Sequence, residues 1–399
     1  MAEDQPVGPL VSQPALLIAL NALYVGFGAV LGLIQGGLPP LILSSGWNIG
    51  HAGWAYAFYM PFGLAFLWAP LVDRFRPPGM RSRIGWVVWM QAITLLSVIG
   101  AAFAPAQAFG LLIAFGFTAA FAMATMDLAL DGIAVETVSP RFRGWAAGTK
   151  LTALALGSMF GGGLLVARFD VWGREASFLV LAGLLTVLAV PLILLHLTEN
   201  TANRRSARAS LRHLFGDKTS RARLFLLVIV CAIIFPATGL NRLMLVSMGV
   251  PLSQIGWVVG TLGPVGLIVA SVIAIPLINT LGHRWALLIF GGTSLLSIGL
   301  MFFGIINQSS LPAMVGAVTI GGSIGGIFVV YAALILGWAR GPQPVTDYAA
   351  YYGIGRFVAA LAMLLSSQLV QFIDWAWYFA AMAVLFVGLM IHFNRKIST

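Results

Sequence analysis

Two aspartates, Asp127 and Asp131, stand four residues apart inside an apolar stretch predicted to form a helix from 108 to 136. A spacing of four places both carboxylates on one face of a helix. Because an ionised carboxylate is costly in hydrocarbon, the pair is expected to face a cavity, contact a cation or hold a proton. Desolvation and mutual repulsion both favour the protonated form. The pair is therefore predicted to bind and release protons within a membrane.

Two cations are predicted at similar depths, Lys150 in the stretch 145 to 167 and Arg356 in the stretch 347 to 370. Arg356 stands in the segment YYGIGRF, where its guanidinium could hold an anionic group while Tyr352 stacks on it or hydrogen-bonds to it. The alternative is structural, since Lys150 and Arg356 could simply neutralise the two aspartates. Both interpretations remain open from the sequence.

Further polar side chains interrupt the apolar stretches and are candidates to contact a bound solute. Asn241 and Arg242 lie in the outer part of a predicted span, where Arg242 could equally extend to the membrane surface. Gln35 lies in the first predicted span and Tyr59 in the second, where packing roles are the alternative. Solute binding is nevertheless our expectation for these four residues.

Several other chemistries are not indicated by the sequence. It contains no Walker A segment, and the Gly-rich GGSIGGIF at 321 to 328 is better explained by close helix packing. The five histidines stand singly, and Cys231 is the lone cysteine. We therefore expect no metal, no cofactor and no enzymatic activity. Nucleic acid is not expected as a partner either, because the basic residues lie in short segments between apolar stretches.

The composition places the chain in a lipid bilayer. Of 399 residues, 60% are hydrophobic and 9% are charged, whereas soluble domains carry roughly one-quarter charged residues. A single soluble core cannot absorb so much apolar surface, because buried area grows too slowly with chain length. Lipid is the alternative solvent.

Twelve apolar stretches are long enough to cross about 30 Å of hydrocarbon. A basic connection between the sixth and seventh divides them into two sets of six, which predicts an all-α polytopic protein with two pseudo-symmetric six-helix bundles. The predicted organisation is an N-terminal segment 1–15, a bundle 16–197, a linker 198–221, a second bundle 222–393 and a tail 394–399.

An internal repeat and the charge distribution support this division. Residues 36 to 54 align without gaps on 239 to 257, and both segments end in Gly-Trp. Such a match is typical of transporters built from parallel repeats. Most Lys and Arg residues fall on one side of the predicted bilayer. The positive-inside rule then predicts a multi-pass protein of a bacterial inner membrane with both termini cytoplasmic.

Two segments carry a resemblance to a known family. FLWAPLVDRFRPPGMRSRIGW at 66 to 86 and ATMDLALDGIAVETVSPRFRGWAAG at 124 to 148 resemble the muropeptide permease and acetyl-coenzyme A transporter branch of the major facilitator superfamily. The GLP turn at 37 to 39 also matches. In length, the chain is similar to the compact siderophore importers of the pyochelin and rhizobactin type.

The resemblance implies a major facilitator fold and secondary transport by alternating access. It implies that Asp73 and Arg74 belong to a gating motif that latches the two halves in one state. Together with the acidic pair, it leads to an expectation of proton-coupled import of a small organic solute, first a ferric siderophore. A muropeptide or another anionic amphipathic solute is the alternative within this class. A non-transporting membrane receptor is the alternative from another class.

Overall fold

The computed structural model describes residues 12–75, 77, 83–105, 107–194, 218–338 and 344–397, and its regular structure there is helical. The longer helices are Gln13–Gly32, Arg83–Phe103, Phe109–Thr137, Arg143–Met159, Leu165–Leu194, Lys218–Gly239, Gly260–Ile306, Ser310–Trp338, Pro344–Leu369 and Trp375–Ile397. Shorter α-helices are Leu38–Ser44, Ile49–Gly53, Met60–Leu64, Ala69–Arg74, Asn241–Ser247 and Leu252–Gln254. The 3₁₀ segments are Trp54–Tyr59, Ala65–Leu67 and Pro140–Phe142, and the π-helical turns are Leu33–Gly37, Phe160–Leu164 and Ile255–Val259.

Nine helical segments among the described residues are long and apolar enough to cross a membrane. Two of them, Gly148–Leu192 and Leu252–Ile306, are each interrupted by a glycine with positive φ, Gly173 at 71° and Gly282 at 82°. A continuous helix of 45 residues would measure about 68 Å, more than twice the hydrocarbon thickness. Glycine takes this left-handed conformation without a Cβ clash, so the chain can turn back there.

The predicted second span, 51 to 72, is built from short α-helical and 3₁₀ pieces rather than one continuous helix. Pro61 and Pro70 stand in the first turns of Met60–Leu64 and Ala69–Arg74, and each lacks the N–H that would continue the preceding helical ladder. Because of this break, the second predicted span is not among the nine long apolar helical segments. Twelve spans in two six-helix bundles, and the domain boundaries, stay a prediction.

Glycines allow the first helix to pack closely on the helix Arg143–Met159. A Cβ on Gly28 would lie 2.8 Å from Leu154 Cα, and a Cβ on Gly157 would lie 2.8 Å from the Gly28 carbonyl carbon. A Cβ on Gly161 would lie 2.8 Å from the Ala29 carbonyl carbon. Backbone contact of this kind is typical of membrane helices, where small residues replace the hydrophobic driving force. It fixes Lys150, on the second of these helices, beside the first.

The two ends of the bundle are distinguished by their contacts. At the end called here the terminal face, the Gln13 side chain donates to Thr137 O at 3.1 Å and accepts from Ser139 N at 3.0 Å. The other end, the opposite face, carries the turns at residues 45–48 and 248–251. The predicted segments 1–15 and 198–221 lie largely outside the described residues, whereas residues 394–397 of the predicted tail continue the helix Trp375–Ile397.

Candidate functional site

One lysine contacts both aspartates of the acidic pair. Lys150 Nζ lies 2.5 Å from Asp131 Oδ1 and 3.4 Å from Asp127 Oδ1. The helix Phe109–Thr137 supplies both carboxylates on one face, as the spacing predicts, and the glycine-packed helix Arg143–Met159 supplies the ammonium. The Asp127 side chain is 18% exposed and that of Asp131 is 52% exposed. Asp131, which lies one turn nearer the terminal face, is therefore more accessible to solvent than Asp127.

A tyrosine that the sequence analysis did not single out completes this group. The Tyr24 hydroxyl donates to Asp131 Oδ1 at 2.6 Å, and Lys150 Nζ lies 4.4 Å from the centroid of the Tyr24 ring. Tyr24 is 3% exposed and lies in the first helix, Gln13–Gly32. The sequence contains only a weak signal for it, a single tyrosine in an apolar span. We define Tyr24, Asp127, Asp131 and Lys150 as the acidic cluster.

The two aspartates differ in how they are satisfied. Asp131 Oδ1 accepts from both the Lys150 ammonium and the Tyr24 hydroxyl. Asp127 accepts only the longer bond from Lys150, and it is the more enclosed of the two. Asp131 is thus the carboxylate with the fuller set of hydrogen-bond donors. Asp127 is the carboxylate with the weaker compensation.

Arg356 lies near the acidic cluster but makes a different set of contacts. Its guanidinium lies close enough to Tyr59, Asp127, Tyr352 and Asp131 for electrostatic interaction with these groups. The Gln35 side chain lies close to the Tyr59 hydroxyl. The structure thus brings together four residues that the sequence analysis identified separately. Gln35 comes from the first predicted span, Tyr59 from the second, and Tyr352 and Arg356 from the eleventh.

No carboxylate lies within 4 Å of the Arg356 guanidinium among the described residues. In the structural alternative, Lys150 and Arg356 together neutralise the two aspartates. Of these two cations, only Lys150 forms an ion pair with them among the described residues. A guanidinium without a carboxylate partner in the interior retains its capacity to bind an anion. Solute binding by Arg356 and Tyr352 stays a prediction.

The side chains of Arg242 and Asn241 donate hydrogen bonds to backbone carbonyls in this conformation. Arg242 Nη1 donates to Gly36 O at 2.7 Å and to Gly162 O at 2.6 Å. Asn241 Nδ2 donates to Ala317 O at 3.2 Å, and Asn241 is buried. These contacts give both residues a structural role that the sequence did not indicate. Their predicted contact with a solute is untested.

Asp73 and Arg74 form the end of the helix Ala69–Arg74. The gating prediction concerns their side chains, which lie outside the described part of the structure. Among the residues that are described, no group of three or more His, Cys, Asp or Glu side chains could hold a metal ion.

No protein-family model matches the chain. The chain is 27% identical over 281 residues to the anhydromuropeptide permease of Escherichia coli strain K12, an alignment that covers 67% of this chain and 57% of the permease. The matched region thus spans little more than half the length of that relative.

Solved structures give the fold. The nucleoside transporter NupG superposes with a TM-score of 0.71 at 12% identity, covering 96% of this chain and 98% of NupG. The D-xylose–proton symporter superposes with a TM-score of 0.69 at 12% identity, covering 95% of this chain and 96% of the symporter. The chain therefore shares its fold with these solved transporters. Among the described residues the predicted helical structure is confirmed, with nine segments long and apolar enough to cross a membrane.

Proposed function

We propose that the protein is a secondary transporter that imports an anionic organic solute across the bacterial inner membrane by alternating access, coupled to protons. The observation that carries this proposal is the acidic cluster, in which one lysine is shared by two aspartates inside membrane-spanning helices. Intramembrane ionisable groups are costly, and two carboxylates sharing one cation leave a site at which a proton is readily bound. The fold supports transport, because the solved proteins that share it are transporters.

In the proposed cycle, Asp127 binds and releases the proton, while Asp131 keeps its hydrogen bonds to Lys150 and Tyr24. Asp131 is held by Lys150 and Tyr24, whereas Asp127 has the single longer contact of 3.4 Å. When Asp127 is protonated, Lys150 is fully available to Asp131. When Asp127 is ionised, it competes for the same ammonium. Proton binding would thereby change the contacts between the fourth and fifth predicted spans.

The proposed solute site comprises Arg356, Tyr352, Tyr59 and Gln35, which lie in the interior beside the acidic cluster. The negative charge of an anion held by the Arg356 guanidinium would also act on Asp127. It would therefore affect the binding of a proton there. This proximity supports coupling, since solute and proton would each alter the affinity for the other by the same factor.

A muropeptide is our first proposal for the solute. It is supported by the similarity to the anhydromuropeptide permease. A peptide carboxylate on such a molecule would pair with the guanidinium of Arg356, which has no carboxylate within 4 Å among the described residues. A ferric siderophore, expected first from chain length, becomes the second candidate. A receptor function has less support still, because the fold is shared with transporters over nearly the whole chain.

The proposal is tested by uptake into proteoliposomes that contain the purified protein. Radiolabelled 1,6-anhydromuropeptide and a labelled ferric siderophore are supplied separately, with and without an inward proton gradient. We expect anhydromuropeptide to accumulate only with the gradient. Accumulation of the siderophore alone would reverse the order of the two solutes, and accumulation unaffected by a protonophore would exclude proton coupling.

The proposed orientation is tested by cysteine labelling in a Cys231→Ala background. Ser45 is exposed at the opposite face, and Arg141 is exposed at the terminal face. We expect an impermeant maleimide to label Ser45→Cys in intact cells and Arg141→Cys only after the membrane is permeabilised. The reverse pattern would place the termini outside.

A further inference from the structure

The side chain of Arg242 joins two parts of the chain that are distant in sequence. Arg242 precedes the opposite-face turn at 248–251 and donates from Nη1 to Gly36 O and Gly162 O, both in the part before residue 195. Other hydrogen bonds join the same parts near this face. Tyr56 donates from its hydroxyl to Gly239 O at 2.6 Å, and Gln368 Nε2 donates to Gly50 O at 2.9 Å.

Both acceptor carbonyls lie where the regular helical ladder is interrupted. Gly36 O cannot receive the usual α-helical hydrogen bond, because residue 40 is a proline without an N–H. Gly36 lies in the π-helical turn Leu33–Gly37, and Gly162 lies in the π-helical turn Phe160–Leu164. Such turns are rare and often mark functional sites. Here they present acceptors to one guanidinium.

The two glycines also provide the space that Arg242 occupies. A Cβ on Gly36 would lie 2.6 Å from Arg242 Cζ, and a Cβ on Gly162 would lie 3.3 Å from Arg242 Nη1. Any larger residue at position 36 would therefore push the guanidinium away from its acceptors. Position 36 controls this contact without carrying a charge itself.

The charge of Arg242 has no carboxylate partner within 4 Å among the residues described. Its guanidinium donates to the Gly36 and Gly162 carbonyls, and both belong to the other part of the chain. If the two parts separated at the opposite face, the guanidinium would lose both bonds and would be hydrated instead. The contact would therefore stabilise the conformation in which this face is closed relative to one in which it is open.

We propose that Arg242 is a latch that holds the opposite face closed and that releases the Gly36 and Gly162 carbonyls each time this face opens. The proposal rests on alternating access, which the proposed function includes, but it requires neither a particular solute nor proton coupling. It assigns Arg242 to the conformational equilibrium and distinguishes it from Arg356, which makes no such bridge.

The latch is tested by measuring the separation of two exposed sites at the opposite face. Spin labels are attached at Ser45→Cys and Ser247→Cys in the full-length Cys231→Ala protein, reconstituted in lipid nanodiscs without solute. Ser45 directly follows the helix Leu38–Ser44, and Ser247 ends the helix Asn241–Ser247. These two helices contact each other in the closed structure. Double electron–electron resonance then reports the fractions of short and long distances.

We expect the parent to show mainly the short distance. Arg242→Ala and Gly36→Ala should each raise the ratio of long to short distances by about tenfold, the loss expected for a charge-assisted hydrogen bond. Arg242→Lys should give an intermediate ratio, because an ammonium lacks the planar fork of donors. If Arg242→Ala does not fold, Gly36→Ala and Arg242→Lys decide the question.

Arg174→Ala is the matched control. Arg174 also donates to a backbone carbonyl, that of Ala104, but donor and acceptor both lie in the part before residue 195. Its loss should leave the distances unchanged. Parental distances in Gly36→Ala and Arg242→Lys would overturn the latch. Because no solute is present, that result would leave the proposed transport function untouched.

Discussion

Lys150 Nζ lies 2.5 Å from Oδ1 of Asp131, an oxygen that also accepts the hydroxyl of Tyr24. The ammonium is therefore committed mainly to the more exposed aspartate, although the second carboxylate is within 3.4 Å. This asymmetry separates the roles of two residues that are chemically identical. Asp127, the residue deeper in the span, has fewer and longer contacts with groups that could offset the charge of its carboxylate.

Replacing Asp127 by Asn gives a permanent neutral mimic of the protonated carboxyl. Accumulation driven by a proton gradient should fall to the level of a protein-free vesicle, whereas counterflow exchange, which needs no net proton movement, should survive in part. Asp131→Asn should act in the same direction but more mildly, since that residue is more exposed. Both assays use the solute identified by uptake.

Asp170→Asn is the control for this series, because Asp170 is an exposed aspartate near the opposite face. Parental accumulation by Asp127→Asn under a proton gradient would show that the coupling assignment is wrong. Equal damage to accumulation and counterflow, with a lowered thermal midpoint, would instead favour a structural ion pair.

Lys150→Met should destabilise the fold, because two neighbouring carboxylates lose the cation they share. We expect the free energy of unfolding to fall by about 1–3 kcal/mol, less than for a fully buried pair, since Asp131 is half exposed. Thermal unfolding in detergent measures the effect. Adding Asp131→Asn to Lys150→Met should restore part of the loss, and Lys218→Met, at an exposed helix start, should change little.

Arg356→Ala should weaken solute binding by about tenfold or more, the loss typical of a charge-assisted contact. Arg356→Lys should recover only part of the affinity, because lysine cannot offer two parallel donors. Isothermal titration of purified protein with anhydromuropeptide measures both. Arg168→Ala, which removes an exposed arginine, is the control. Unchanged affinity in Arg356→Ala would remove this residue from the proposed solute site.

Gly157→Ala should lower the thermal midpoint, since the new methyl group would meet the backbone of the first helix around Val25 and Gly28. Overpacking of this kind costs about 1–3 kcal/mol. Gly183→Ala is the opposite case, because no atom lies within 4 Å of a Cβ there. It should leave stability unchanged or raise it slightly through better helix propensity. Equal midpoints for both variants would contradict the packing described here.

Membrane insertion, helical content and the shared face of Asp127 and Asp131 could all be predicted from the sequence. Each depends on local properties, namely the apolar composition of the spans and the 3.6-residue period of a helix. The resemblance of 66 to 86 and 124 to 148 to a known family added the fold, which the superpositions support. Span boundaries and the broken second span were harder to predict, because prolines and glycines permit several local conformations.

The partners of the charged residues were decided by tertiary structure alone. Tyr24 and Asp131 are 107 residues apart in sequence, and Arg242 and Gly36 are 206 residues apart. Composition identifies each group as costly in a membrane, but the position of its partner depends on how glycine-lined helices pack and where their ladders break. For that reason the sequence predicted solute binding for Arg242 and Arg356 alike. Only the fold assigned carbonyl oxygens to the guanidinium of Arg242 while leaving that of Arg356 without a carboxylate within 4 Å in the described chain.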